Sequence, residues 1–557
     1  MRRRQFIQWS GIASAGGLLG VSATACVPGS APGPGVPPDP LDLLFPPDAR
    51  RRIVNVRPRN PDGTPVLSPA GSRSVLVVGG GLAGLSAALE LAERGYAVHV
   101  READGVLGGR LATRDLDPGL GRTFRVEHGL HMWFDNYRTF ADLRHRLGID
   151  HHFRSYDAVD FVFRDYLPER LESTPKLFPA NLAGIVDRSP NLDWSDIFGS
   201  SGILPDLFQF DFARVFDRLD GLTFPEWIRR TNVTKRFEDV ILQPAAHVTL
   251  NRVADLSAAE MVLYQHLYFT SQPFAFDRQV TTVDHGTAVI DPWVARLRAL
   301  GATVSTSAPV GGLRIEQGRA VGVVGEPERH DAVVLAVDVP GAKRILAGST
   351  ADASADAAGA AGLDNLTARV DHMQVAPPYR ILRLWFDRAP DASRPQVIET
   401  PQHTPLALIC QFHQLEQESR AWAASTGGSV IELHLYAIDS DLAEAPDDQL
   451  WSLVRPLVLE VIPELGDATV LGSTVGNYEN FSSFAAGLAA RRPFPATPAG
   501  DGVDGLFLAG DWIAAPAPSA LMERAVLTGR LAANEILVEH GVREAGYSHV
   551  SPLGPLS

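Results

Sequence analysis

From Ser74 the chain enters four consecutive apolar residues, Val75-Leu76-Val77-Val78, with no polar alternation. Such a run predicts a parallel strand buried on both faces. It breaks at Gly79-Gly80-Gly81, and from there Leu82, Leu85, Leu89 and Ala92 recur at spacings of three and four, which predicts a helix ended by Gly95. A second strand is expected over residues 97–101, closed by Glu102. The same alternation of apolar run and helical period returns twice. His285-Gly286 opens a helix expected to reach Leu300, with strands at 302–307 and 332–336; far downstream an apolar run at 506–509 enters Gly510-Asp511-Trp512 and then a helix over 519–533. Strand and helix in turn define an α/β fold with a parallel sheet.

Strand, glycine turn, helix, strand and terminal acid together form a dinucleotide-binding fingerprint. Gly79, Gly81 and Gly84 allow the tight turn and close backbone approach; Leu82 and Ala83 begin the helix whose N-terminus faces a pyrophosphate; Glu102 accepts ribose hydroxyls. A second glycine turn, Gly108-Gly109-Arg110, begins six residues beyond Glu102 and carries a cation toward the same place.

Composition narrows the partners. The 557 residues carry 65 acidic against 50 basic side chains, a net charge of -15, so a nucleic acid partner is excluded on electrostatic grounds. With 45% hydrophobic residues the chain has material for large cores, and its length predicts two intimately connected domains. Only Cys26 and Cys410 are present, too few for a disulfide framework or a cysteine-rich metal site, and His151-His152 has no third ligand at useful spacing. No metal is expected. The N-terminus, Arg2-Arg3-Arg4-Gln5-Phe6-Ile7 followed by a mild Gly/Ala/Ser-rich apolar run, resembles a twin-arginine export signal over 1–26, and Ala23-Thr24-Ala25-Cys26 resembles a lipoprotein box. Residues 27–72 read as a Pro/Gly-rich tether. The expected location is therefore periplasmic or cell-surface, with two processing outcomes open: a lipid on Cys26 that gives membrane association, or ordinary cleavage near the small residues.

The run EADGVLGGRLATR, residues 102–114, resembles the FAD-binding segment of the amine oxidase and carotenoid desaturase superfamily. That resemblance implies a discontinuous, Rossmann-like FAD-binding domain of the glutathione-reductase-like type, built from 73–150, 275–350 and 500–540. An α+β substrate domain from 151–274 and 351–499 and a tail from 541–557 complete the chain. It implies FAD as cofactor: Gly109 and Arg110 at its phosphates, the Val310 backbone at adenine, Gly510 and Asp511 at the ribityl chain. Met522 would stand at the start of a helix whose dipole meets the pyrimidine end of the flavin. Residues 126–137, VEHGLHMWFDNY, are similar to a segment of plant-type carotene desaturases in which the last histidine, here His131, lies by the flavin ring. Leu521-Met522-Glu523-Arg524-Ala525 and 426–437 look most like the isorenieratene synthase branch, the β-carotene desaturase/methyltransferases.

The implied activity is dehydrogenation of a hydrophobic isoprenoid or polyene by hydride transfer to flavin, with a quinone or cytochrome as electron acceptor. His131 is the candidate weak base, set against a histidine that satisfies a core hydrogen bond; Glu523 is a second candidate, set against a carboxylate bonded to backbone at a helix end. His128 reads as structural. Two other functions stand beside this one: an exported amine or small-molecule dehydrogenase, and a non-catalytic flavoprotein that binds a lipid or a partner.

Overall fold

A computed structural model describes residues 52–64, 73–156, 158–172, 180–273, 275–351, 356–496 and 502–557. The export signal, Cys26 and most of the tether lie outside the described residues.

Five strands form a parallel sheet in the order Thr303–Ser305, Ala97–Arg101, Ser74–Val78, Ala332–Leu335 and Leu506–Leu508. The central strand is buried along Val75 to Val78 because both faces are covered, as its unbroken apolar run requires. One face takes helices Leu82–Ala92 and Leu521–Glu539, which pack so closely that a Cβ on Gly529 would sit 2.2 Å from the Ala83 carbonyl oxygen. Three short strands, Arg319–Val323, Leu313–Glu316 and Thr350–Ala351, make a separate small sheet in the same part of the chain. Strands far apart in sequence thus meet in one nucleotide-binding sheet, each loop from its carboxyl end opening onto the same crevice.

A second layer is a seven-stranded, mainly antiparallel sheet. Its order is Val470–Tyr478, Tyr379–Phe386, Ser429–Leu435, Leu406–Gln411, Val397–Glu399, Ala158–Phe161 and Glu169–Glu172. Tyr379–Phe386 and Ser429–Leu435 are buried at every position, which is unusual for strands that carry Arg380, Arg383, Glu432 and His434. Helices Phe212–Leu219, Phe224–Arg230 and Ala258–Gln265 complete this part around a core that includes Trp227, Tyr264 and Phe484.

Several expectations change. Within the stretch read as tether, Ile53–Val56 is a strand paired antiparallel with Tyr547–Val550, and Asn60 Nδ2 donates to the Val542 carbonyl at 2.6 Å. The tail over 541–557 is therefore folded onto the body. A short β-branched run, Ile53-Val54-Asn55-Val56, was hidden by the proline-rich composition around it. The helix expected from His285 is a π-type turn, Gly286–Ile290, leading into the α-helix Asp291–Ala299, and the helix expected from Ser519 begins at Leu521.

Candidate active site

The glycines of the first turn divide into two kinds. Gly79 has φ +106 and a Cβ there would meet the Ala336 carbonyl at 2.4 Å; a Cβ on Gly84 would lie 2.0 Å from the Gly79 carbonyl. These two serve the turn itself. Gly81 has ordinary extended backbone, φ -80, and a Cβ built on it finds no atom nearer than 3.9 Å. Nothing in the protein demands a glycine there. What the missing side chain leaves is open space over the start of helix Leu82–Ala92, whose N-cap has no side-chain partner, and a pyrophosphate fits both features.

The second turn lies against the first through the bond from Gly108 N–H to the Gly80 carbonyl, 2.9 Å. Glu102 closes the ribose side: Oε2 accepts from Gly80 N at 2.7 Å and Oε1 from Asp104 N at 2.9 Å, so its carboxylate is fixed before any ligand arrives. The chain at 305–308 runs along Glu102, bonded to its N–H and carbonyl, and delivers Val310 two residues later. Among the described residues no backbone partner takes the Val310 N–H or carbonyl, which matches an adenine-contacting position.

At the other end of the crevice Arg110 Nη2 meets Asp511 Oδ1 at 2.5 Å, and the guanidinium stands 5.2 Å from the centre of the Phe481 ring. Burial pushes the Asp511 carboxyl upward, but Arg110 outweighs it and holds the group below its usual range. The second oxygen, Oδ2, is buried and has no partner within good hydrogen-bond geometry, although Ser482 helps Arg110 to hold the carboxylate below its usual range. An orphaned buried acceptor is costly and calls for a donor from outside the chain; a ribityl hydroxyl is such a donor. Gly510 precedes it, its N–H donating to Thr528 Oγ1 at 3.0 Å. Helix Leu521–Glu539 starts beside this point with no side-chain cap, and Leu521 is held at φ 52, a left-handed conformation that leucine rarely adopts. Met522 sits in this uncapped first turn, half-buried against the nucleotide-domain core. The open glycine cradle, the orphaned Asp511 oxygen and the free helix N-terminus therefore fit FAD.

Glu523 points elsewhere. Its two oxygens accept the N–H groups of Thr139 and Phe140, at 2.7 and 3.0 Å, and so cap helix Arg138–Leu147. Burial raises its carboxyl to about 7. Both oxygens are committed to backbone, and the catalytic expectation for Glu523 gives way to capping.

His131 is placed differently. Its Nδ1 lies 2.8 Å from the Gly129 carbonyl, which can only accept, so Nδ1 carries the hydrogen and Nε2 keeps its lone pair. Burial, and the positive charge of Arg110 among its neighbours, lower its pKa to about 4, leaving a neutral imidazole at physiological pH. The Gly129–Leu130 peptide is held in turn by Glu432, whose Oε1 accepts from Leu130 N at 2.9 Å. His128 bonds Tyr379 Oη at 2.8 Å and stacks on Tyr478 with ring centres 3.6 Å apart, a structural setting.

Behind this loop lies a buried ion cluster that sequence reasoning missed. Arg383 reaches Glu432 at 2.7 Å, Glu127 at 3.0 Å and Glu416 at 3.7 Å. Burial pushes all three carboxyls up. Arg383 wins at Glu432, which falls to about 2, whereas Glu416 rises to about 7 and Glu127 well above the carboxylate range. One guanidinium cannot hold three ionised carboxylates in an apolar interior, so the cluster keeps protons at neutral pH. A second missed set, Glu260 between Arg492 at 2.5 Å and Arg524 at 3.4 Å, is buried beside Asp511, whose carbonyl accepts from Arg524. The available signal was charge at buried positions of apolar strands, as in Arg380 and Arg383 within YRILRLWF.

Aromatic rings also pack together here: the ring centres of Phe134 and Tyr268 stand 4.5 Å apart and those of Tyr264 and Tyr268 5.4 Å, Tyr268 is hydrogen-bonded to Tyr137, and the Tyr264 hydroxyl is buried without a hydrogen-bond partner among the described residues.

Sheet, cradle and orphaned acceptor define an FAD-dependent oxidoreductase with a Rossmann-type nucleotide domain. The chain belongs to the flavin-containing amine oxidoreductase family, whose model matches residues 82–537. It is 28% identical to a carotenoid phi-ring synthase of Chlorobaculum tepidum, over 85% of this chain and 89% of the relative, and 30% identical to one of Streptomyces griseus, over 84% and 89%. A 15-cis-phytoene desaturase of an Oncidium hybrid is 23% identical over 85% of this chain and 79% of its own. Among solved structures, putrescine oxidase bound to putrescine superposes with a TM-score of 0.59 at 17% identity, over 85% of this chain and all of the oxidase, a likeness of fold.

Proposed function

We propose that this chain is an exported dehydrogenase of a hydrophobic isoprenoid polyene, in its sharpest form an enzyme that converts the cyclohexenyl end of a carotenoid to an aromatic ring. The observation that carries the reading is the near full-length similarity to two carotenoid phi-ring synthases. The site supports it. Asp511 is matched by Arg110, Glu260 by two arginines, Glu432 by Arg383 and Glu523 by backbone amides, so each of these buried carboxylates is committed and none stands ready for an ammonium substrate.

When bound, FAD supplies the acceptor for the hydride that leaves the substrate. The chain's own residues do the rest: aromatic walls exclude water and orient the polyene, and His131 Nε2 accepts the proton lost as each double bond forms. Each such step removes one hydride and one proton, and methyl migration within the ring is internal to the substrate. A neutral imidazole suits this work because it can take a proton without being already charged. Electrons leave for a quinone or a cytochrome. The twin-arginine pathway carries the folded protein out, and lipid on Cys26 holds it at the membrane surface, where an apolar substrate is concentrated. Among the described residues no helix is long and apolar enough to cross a membrane.

The test is product analysis. Purified protein, detergent-dispersed β-carotene and a quinone acceptor should yield a hydrocarbon of unchanged carbon count, fewer hydrogens and an aromatic ring, identified by mass and absorption spectra. Unaltered β-carotene with turnover of simple amines would replace this reading by the amine dehydrogenase.

A further inference from the structure

Apart from the residues assigned to the flavin crevice, three potential metal ligands meet beside the nucleotide sheet. His99 lies on strand Ala97–Arg101; Glu328 and His330 lie in the segment that leads into strand Ala332–Leu335. Their donor atoms all fall within 4.8 Å of one another. His99 Nδ1 is 3.9 Å from a Glu328 carboxylate oxygen, and the two imidazole rings are 5.2 Å apart and tilted by 58°. We propose that His99, Glu328 and His330 bind a divalent transition metal of the zinc class, two imidazole nitrogens and one carboxylate oxygen leaving the remaining position to water.

Three features separate this cluster from a chance grouping of surface side chains. His330 is buried, 8% exposed, and Ser74 Oγ lies 2.6 Å from its Nδ1, the outer hydrogen bond that fixes ring orientation in metal-binding histidines and leaves Nε2 to coordinate. The segment that carries two of the ligands is clamped: Arg314 donates to the carbonyls of Glu326 and Glu328 at 2.5 and 3.0 Å, and Arg101 binds the Glu326 carboxylate at 2.7 Å. Those arginines are thereby occupied, and Asp331, whose Oδ2 accepts from Ser74 N, adds a nearby negative charge.

Tetrahedral zinc with bonds of about 2.0–2.2 Å places its ligand atoms about 3.3–3.6 Å apart. The atoms here must therefore close slightly, and Glu328, whose side chain is 59% exposed, is the free arm that can do so. A metal bridging these segments would tie strand Ala97–Arg101 to the segment entering Ala332–Leu335, across the Ser74–Val78 strand that lies between them in the sheet. The absence of a metal expected from spacing along the chain does not bear on this cluster, because His99 and His330 are brought together only by the sheet.

The test needs no turnover. Tag-free, FAD-loaded protein is stripped with a chelator, then titrated with zinc by calorimetry and with cobalt by visible absorption at neutral pH. One metal per chain is expected, with cobalt bands of a low-symmetry nitrogen and oxygen site. His99→Ala and Glu328→Gln, both at solvent-accessible positions, should each weaken zinc at least about tenfold while FAD content stays intact. His330→Gln should abolish binding, and its circular dichroism and flavin content establish that the fold survives. Unchanged affinity in His99→Ala and Glu328→Gln, or no stoichiometric uptake by the folded parent protein, would overturn the site.

Discussion

Glu432 Oε1 accepts the Leu130 N–H at 2.9 Å while its other oxygen is held by Arg383 at 2.7 Å, so a buried ion pair fixes the peptide next to His131. His131 in turn donates Nδ1–H to Gly129, within the loop that Glu432 holds. The carboxylate acts on His131 through geometry and is a positioning residue. Glu432→Gln keeps an acceptor for Leu130 N–H, and Arg383 keeps Glu127 and Glu416. Turnover per flavin should fall less than about tenfold in this variant. Glu432→Ala loses the acceptor and a partner of a buried charge, at a cost of about 3–5 kcal/mol. Its kcat should fall by a further order of magnitude or more with KM little changed. Equal kcat in the two variants, measured per bound flavin, would remove the positioning role.

His131→Ala should cost about 10²- to 10⁴-fold in flavin reduction by a polyene with FAD content unchanged, the usual contribution of general acid-base catalysis. Its pH dependence carries a sign. A pKa lowered to about 4 leaves the basic form present throughout the neutral and mildly acidic range, so the acid limb of kcat/KM should fall near pH 4. An ordinary histidine limb near pH 6.5 would contradict the burial assigned to it. Glu523→Ala makes the contrast, expected to lower stability by about 0.5–2 kcal/mol through loss of a cap and to leave turnover per flavin intact.

Gly81→Val and Gly84→Val separate ligand space from protein packing. At Gly81 a side chain enters space that only the cofactor uses, and the variant should fold normally and lose FAD. At Gly84 the Cβ meets a carbonyl at 2.0 Å, and the variant should lose soluble, folded protein as well. Stoichiometric FAD in purified Gly81→Val, read from the absorbance ratio of flavin to protein, would refute the cradle.

Replacing both Arg3 and Arg4 by Lys should trap flavin-loaded precursor in the cytoplasm, as seen by fractionation and immunoblot. Normal export of that variant would set the twin-arginine reading aside. Replacing Cys26 by Ser should in turn release the exported protein from the membrane fraction.

The nucleotide half was legible because its signals are local: the apolar run at Val75, the glycines and Glu102 fall within one strand-helix-strand unit, and Arg110 and Asp511 each follow a glycine turn. The resemblance assigned each of them to FAD, and that they meet at 2.5 Å came only from the structure. Arg383, Glu127 and Glu432 stand on three different strands, and no spacing along the chain reports a contact that the sheet creates. For Glu523 the sequence left two readings open, a base or a carboxylate bonded to backbone, because its partners, Thr139 and Phe140, come from a helix far away in sequence. Ile53–Val56 was lost because three β-branched residues weigh little against the prolines around them.

The most direct test of polyene dehydrogenation is anaerobic stopped-flow absorbance of the oxidised, FAD-loaded protein mixed with detergent-dispersed β-carotene or, separately, with simple amines. Flavin bleaching by β-carotene, slowed about 10²-fold or more in His131→Ala, with none by amines, is the expected result. Bleaching by amines alone would contradict it.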